Sequence, residues 1–275
     1  MSSQTANPNR ALWEKGDFTK IAATMRASGE ELVAELDLGP GLSVLDLGCG
    51  DGTTAVPAAR TGAEVLGVDI AANLVEAGNR RAQAENLGNL QVRAGDASNL
   101  EDLADDSFDL VVSIFGAMFA PRPMDVAAEM VRVARPGGTI VMGNWIPGDP
   151  TLVAQLLKIS GAYSPPPPAG FISPVAWGVA ETAIERFGAA GIPADRIECE
   201  PRTYTFVSPH PPVEFLSRFR NYYGPTMNAY AAAEADGRVE SLQSELETLF
   251  NAQNQSSDPG ATQIEARYLR VEVSV

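Results

Sequence analysis

From about residue 41 the chain alternates short, almost wholly apolar runs with segments of helical period. Candidate strands lie at 43–47, 64–68, 90–93, 108–114 and 139–144. Runs such as DLVVSIF and TIVMGNW have no polar alternate face, which marks strands covered by helices on both sides. Between the last two, Met124, Ala127, Ala128, Val131 and Ala134 fall on one face of a helix, which Pro136-Gly137-Gly138 then breaks. This rhythm predicts an α/β fold built on a doubly wound, mostly parallel sheet.

The remaining segments complete the layout. Residues 11–38 read as helical material, closed by Gly39-Pro40-Gly41, and form an N-terminal helical cap over residues 1–40. After the fifth strand come a short helix at 152–159 and four consecutive prolines at 165–168, which favour an extended connector. A helix near 175–190 and strands near 200–207 and 264–275 bring the sheet to seven strands. The core is thus expected at 41–207 and 261–275, interrupted by a helical insertion at 208–260. In that insertion Phe215, Leu216, Phe219, Tyr222 and Tyr223 share one helical side, and Val239, Leu242, Leu246, Leu249 and Phe250 make a second stripe. Seven of the sixteen Phe and Tyr residues sit between Tyr204 and Tyr230.

Charge narrows the partners. With 20 Lys and Arg against 35 Asp and Glu, the net charge of −15 repels nucleic acid and anionic membranes. The polar start and the lack of any long apolar stretch lead us to expect a cytoplasmic protein. Two distant cysteines, Cys49 and Cys199, and a single histidine, His210, exclude disulfide frameworks and the common metal-ligand spacings, so no metal is expected.

The chemistry concentrates at strand ends. In VLDLGCGDGTTA (44–55) a strand runs through glycines at 48, 50 and 52 into a helix, so that backbone can approach a ligand. The G-x-G-x-x-G of dinucleotide sites would need glycine at 53, where threonine stands, which argues against a nicotinamide oxidoreductase. A second acid, Asp69 in GVDIA, closes the next strand, where a carboxylate can accept both hydroxyls of a ribose. A third, Asp96 in AGDAS, closes the third. Taken singly, each of Asp46, Asp69 and Asp96 also suits a helix cap or a turn; in series they mark the carboxyl edge where open α/β sheets bind ligands.

Together LDLGCGDG, GVDI, AGDAS, DSFDLVVSIFGAMF and RVARPGGTIVMGNW resemble the class I S-adenosylmethionine-dependent methyltransferases, in the small-molecule group that includes the ubiquinone and menaquinone biosynthesis enzymes. The likeness covers about residues 13–145, with 200–275 matching only in general topology. It implies a Rossmann-like methyltransferase fold and S-adenosylmethionine as cofactor, with S-adenosylhomocysteine as product. By the same resemblance Asp46, Gly48, Cys49 and Gly50 would meet the methionine portion, Asp69 the ribose, Ile70 and Ala97 the adenine faces and Asp96 its amino group. Ser113 to Phe115 would line the methyl-transfer cavity. The fourth motif, SIFGAMF, lacks the Asn/Asp-Pro-Pro-Tyr/Phe run of base and glutamine methylation, leaving oxygen, nitrogen, sulfur or carbon of a small acceptor. A catalytically silent S-adenosylmethionine-binding protein is the rival.

Methyl transfer asks mainly for alignment and exclusion of water. Trp13, Phe18, Met118, Phe119, Phe215, Phe219, Tyr222 and Tyr223 are the candidate substrate pocket, suited to an apolar or aromatic acceptor, and Arg218 and Arg220 could pair with an acidic substituent. His210, in SPHPP, is the one imidazole available as a general base, and a solvated loop position is its alternative. The aromatic stripe of the insertion is equally compatible with a lid, with core packing and with a homodimer contact.

Overall fold

The computed structural model describes Asn7 and residues 9–275. Two one-turn helices, α1 (Arg10–Trp13) and α2 (Thr19–Ala22), a 3-10 turn at Ala23–Met25 and α3 (Arg26–Ala34) precede the sheet. Then come β1 (Ser43–Leu47), α4 (Ala55–Arg60), β2 (Glu64–Asp69), α5 (Ala72–Ala84), β3 (Leu90–Ala94) and β4 (Phe108–Ile114). A 3-10 turn at Ala117–Phe119 leads to α6 (Pro123–Val133), β5 (Ala134–Trp145), α7 (Leu152–Tyr163), α8 (Ala180–Ala189) and β6 (Ile197–Ser208). The insertion holds α9 (Pro212–Tyr222), α10 (Gly224–Ala235) and α11 (Val239–Gln253), and β7 (Thr262–Ser274) ends the sheet.

The seven strands lie in the order β3-β2-β1-β4-β5-β7-β6, with β7 antiparallel to both its neighbours and the rest parallel. The order reverses between β1 and β4, which puts a switch-point crevice at their carboxyl ends. Alternation along β1 explains the two core layers. Val44 packs with Val65, Val92, Val112 and Val141 on the α4 side, while Leu45 and Leu47 join Val111, Ile140, Met142 and the α6 residues Val126 and Met130 on the other.

Departures from the sequence pattern have local causes. The helical stretch expected over 11–38 is broken: the chain turns at Gly16 (φ 77°), whose open side faces Tyr222 and Met227, and unwinds to 3-10 at Ala23. The helix expected over 175–190 splits into a 3-10 turn at Pro174–Gly178 and α8, because Val179 is extended (φ −110°, ψ 120°). Strands β5 and β6 begin earlier than their expected bounds, β5 at Ala134, which pairs with Phe108 of β4, and β6 at Ile197, which pairs with Val273 of β7. The aromatic stripe of α9 turns inward. Phe215 and Phe219 pack on Phe206 and Phe250 with ring centroids 5.4–6.4 Å apart, and all four are sealed from solvent.

Candidate functional site

A cavity opens at the carboxyl ends of β1, β2, β3 and β4, lined largely by the turns that follow those strands. Its floor is the turn after β1. Gly48 (φ 66°) lies back to back with Gly116 of the turn after β4: a Cβ on Gly48 would stand 2.5 Å from the Gly116 Cα, and one on Gly116 2.4 Å from the Gly48 carbonyl. Only two glycines let these turns close on each other, which draws the ends of β1 and β4 together under the cavity. Backbone N–H groups of Gly48 and Cys49 both donate to the Val68 carbonyl at 2.7 and 3.2 Å, tying the loop to β2.

Four carboxylates face this space. Asp46 is buried, and its Oδ2 has no hydrogen-bond partner among the described residues. Burial, reinforced by the Asp69 charge and opposed by the Ala55 backbone N–H, pushes its carboxyl up to about 8. Asp69 accepts the backbone N–H of Gly50 at 2.8 Å and of Ala71 at 2.9 Å. Burial raises it too, against the pull of those N–H groups. Asp96 accepts the Ser98 N–H at 2.9 Å and hydroxyl at 2.7 Å, and takes the Asn7 side-chain amide at 3.1 Å. Asp51, buried in the glycine turn, pairs with Arg26, and the Arg81 guanidinium donates to its carbonyl at 2.7 Å.

An apolar end completes the cavity. Trp13 meets Phe18 edge-on at 5.6 Å and Phe119 at 4.9 Å, and Asn9 fixes α1 by donating to the Phe119 carbonyl. Phe115, held at φ 59° at the end of β4, stacks on Trp145 at 3.5 Å and meets the edge of Tyr204 at 5.0 Å. A bulky residue in that left-handed conformation costs on the order of 1–3 kcal/mol, a strain typical of ligand sites. Tyr204, from β6, donates its hydroxyl to the Met25 carbonyl at 3.0 Å, and burial raises it above the usual tyrosine range.

The cavity brings together Asp46, Gly48, Cys49, Gly50, Asp69, Ile70, Asp96, Ala97, Phe115, Trp13, Phe18 and Phe119. The other candidates lie elsewhere. Ser113 is fully buried, its hydroxyl bridging the Leu47 carbonyl at 2.6 Å and the Ala117 N–H at 2.8 Å, a brace for the two turns. Met118, Phe215 and Phe219 are core residues; Tyr223 packs behind Trp13 and Phe18 at 6.1 Å, and the Tyr222 backbone abuts Gly16. His210 is half-buried and faces Glu214 at 3.3 Å, outside the cavity lining. Arg220 lies over the Tyr230 ring at 4.6 Å, also away from it. Cys49 packs its thiol against Gly67, where a Cβ would come within 2.9 Å, and burial pushes that thiol up. It acts as a filler of the loop.

Sequence reasoning missed Asp51, Thr54, Gly116 and Tyr204, all of which line the cavity. The first two stand inside the glycine motif and Gly116 inside SIFGAMF, so proximity could have found them. Nothing local flags Tyr204, which arrives from the far edge of the sheet.

The methyltransferase-domain family model matches residues 45–142. An uncharacterized protein of Mycobacterium tuberculosis is 35% identical over 249 residues, covering 86% of this chain and 87% of that protein. The methyltransferase GfsG of Streptomyces halstedii is 34% identical over 143 residues, 51% of each chain. The structure of Haemonchus contortus phosphoethanolamine N-methyltransferase 2 with S-adenosylmethionine superimposes with a TM-score of 0.56 at 17% identity, over 90% of this chain and 52% of that one. The chain belongs to the S-adenosylmethionine-dependent methyltransferase family. In this methyltransferase the matched span runs from β1 into β5 and takes in the glycine turn and all four carboxylates, while Trp13, Phe18 and Tyr204 lie outside it. The cofactor of the family, S-adenosylmethionine, carries an ammonium, a sulfonium, two ribose hydroxyls and an adenine amine. The unpartnered Asp46 oxygen, the remaining lone pairs of Asp69 and Asp96 and the open glycine turn offer it acceptors and room, so the residues present fit it. Among the described residues no helix is long and apolar enough to cross a membrane, and no three His, Cys, Asp or Glu group as metal ligands.

Proposed function

We propose that this cavity is a methyl-transfer site for a small acceptor with an apolar or aromatic body. The observation that carries the reading is the partition of one cavity into an acidic end at Asp46, Asp69 and Asp96 and an aromatic end at Trp13, Phe18, Phe115, Phe119 and Tyr204. When bound, S-adenosylmethionine supplies an electrophilic methyl group and needs no covalent help from the protein. Asp46 would hold the methionine ammonium, Asp69 the ribose hydroxyls and Asp96 the adenine amine, with Ile70 and Ala97 against the ring. Gly48, Cys49 and Gly50 leave backbone room beside Asp46. The aromatic end would exclude water and align the acceptor, which supplies the rate through position. His210, outside the cavity lining, has no part in this scheme.

Isothermal titration with S-adenosylhomocysteine, followed by an acceptor panel read as S-adenosylhomocysteine release, tests the reading. Micromolar binding with turnover of at least one acceptor supports it. Binding without turnover on any acceptor turns the protein into a cofactor sensor, and absence of binding removes the assignment.

A further inference from the structure

We infer that the methyl acceptor is an amine whose methylated product carries a fixed positive charge on nitrogen. This rests on the reading of the cavity as a methyl-transfer site and names the acceptor within it. Three observations point the same way. The first is charge: among the described residues lining the cavity there are four carboxylates and no Lys, Arg or His. Three of these acids fit the cofactor, so nothing in the lining opposes a further cation.

The second is the state of the rings. Trp13 meets both Phe18 and Phe119 edge-on, at 5.6 and 4.9 Å, and all three remain only half-buried, whereas Phe215, Phe219 and Phe250 of α9 and α11 are closed off. Packing alone would have sealed the first set as it did the second. Indole and phenyl faces left open beside a carboxylate-lined space suit a quaternary ammonium. The third is the lack of a free base, since three of the four carboxylates are those assigned to the cofactor and Asp51 is paired with Arg26. The lining's remaining titratable groups are Cys49 and Tyr204, both raised by burial, and Tyr204 is already bonded to Met25. An alcohol acceptor would have to lose its proton to some group there; a tertiary amine would not.

The exchange balances without protein-borne acid or base. An amine entering as its free base leaves any proton in solvent. Its nitrogen lone pair then forms the N–C bond while the C–S bond breaks with its electron pair going to sulfur. Positive charge passes from sulfur to nitrogen, where the rings of Trp13, Phe18 and Phe119 receive it.

The test uses the protein saturated with S-adenosylhomocysteine and titrates choline against its uncharged isostere, in which a quaternary carbon replaces the nitrogen. The expected result is tighter binding of choline by about tenfold or more, lost in Trp13→Leu measured at saturating S-adenosylhomocysteine. Phe18→Leu serves as the second variant should Trp13→Leu fail to fold. Equal affinities for the two isosteres, or choline binding indifferent to both substitutions, overturn the inference while leaving the cofactor reading intact. Failure of S-adenosylhomocysteine to bind would instead remove the parent reading and this one with it.

Discussion

Two sets of aromatic rings face opposite fates in this molecule. Phe215 and Phe219 on α9 close against Phe206 and Phe250, while Trp13, Phe18 and Phe119 keep part of their surface open to the cavity. In sequence the first set is the more conspicuous, a clean stripe at helical spacing. The second is scattered over an N-terminal segment and the turn after β4. The difference teaches that periodicity reports which residues are buried, because burial is what a helix face does. Openness to a ligand depends instead on where loops and strand ends meet, and period has no bearing on that.

Substitutions can break this contrast. The largest effect is expected for Phe219→Ala, which empties a sealed ring site and should cost about 3–5 kcal/mol of unfolding free energy in urea, with S-adenosylhomocysteine affinity of the folded protein unchanged. A loss of affinity without loss of stability would move α9 into the site. Asp69→Ala should act on the ligand as well as the fold, weakening that ligand by about 1.5–3 kcal/mol through lost hydrogen bonds to a charged group, as read by isothermal titration of the folded variant. Unaltered binding would take Asp69 out of the site.

Asp46 sharpens the contrast through pH. Its folded carboxyl lies at about 8, far above the ordinary 3.8, so the fold favours the protonated form. The stability this confers is complete below pH 4 and is lost as pH rises through 8. Ligand-free Asp46→Asn should therefore gain Tm on the parent protein from pH 5 to about 8 and then level off, and a pH-independent difference would contradict the burial argument. The smallest effect belongs to His210→Ala, which should change stability by no more than about 0.5 kcal/mol and leave S-adenosylhomocysteine binding alone; a marked drop in affinity would return the residue to the site.

Much of the sheet was legible in the chain. Runs such as DLVVSIF announce doubly covered strands, and Asp46, Asp69 and Asp96 share an edge because parallel strands end on the same side. The acidic end of the cavity followed from that geometry. The aromatic end did not. Tyr204 reaches it from β6 by way of long-range pairing with β7, and Asn7 and Asn9 reach Asp96 and Phe119 across about a hundred residues of chain. Ser113 was misplaced for a related reason: its strand position was right, but its hydroxyl is spent bracing Leu47 and Ala117. Of the insertion's three helices α9 and α11 were visible as amphipathic stripes and α10 was not, and the direction the stripes face was open, since a lid, a dimer surface and a core layer ask for the same period.

The decisive experiment is a crystal structure of the protein grown with S-adenosylhomocysteine. The account places the adenosine between Asp69 and Asp96, the amino-acid end at Asp46 above Gly48 and Gly50, and the sulfur turned toward Phe115 and Trp13. Density for the ligand anywhere else, or a cavity filled by the protein's own side chains at saturating ligand, would contradict it.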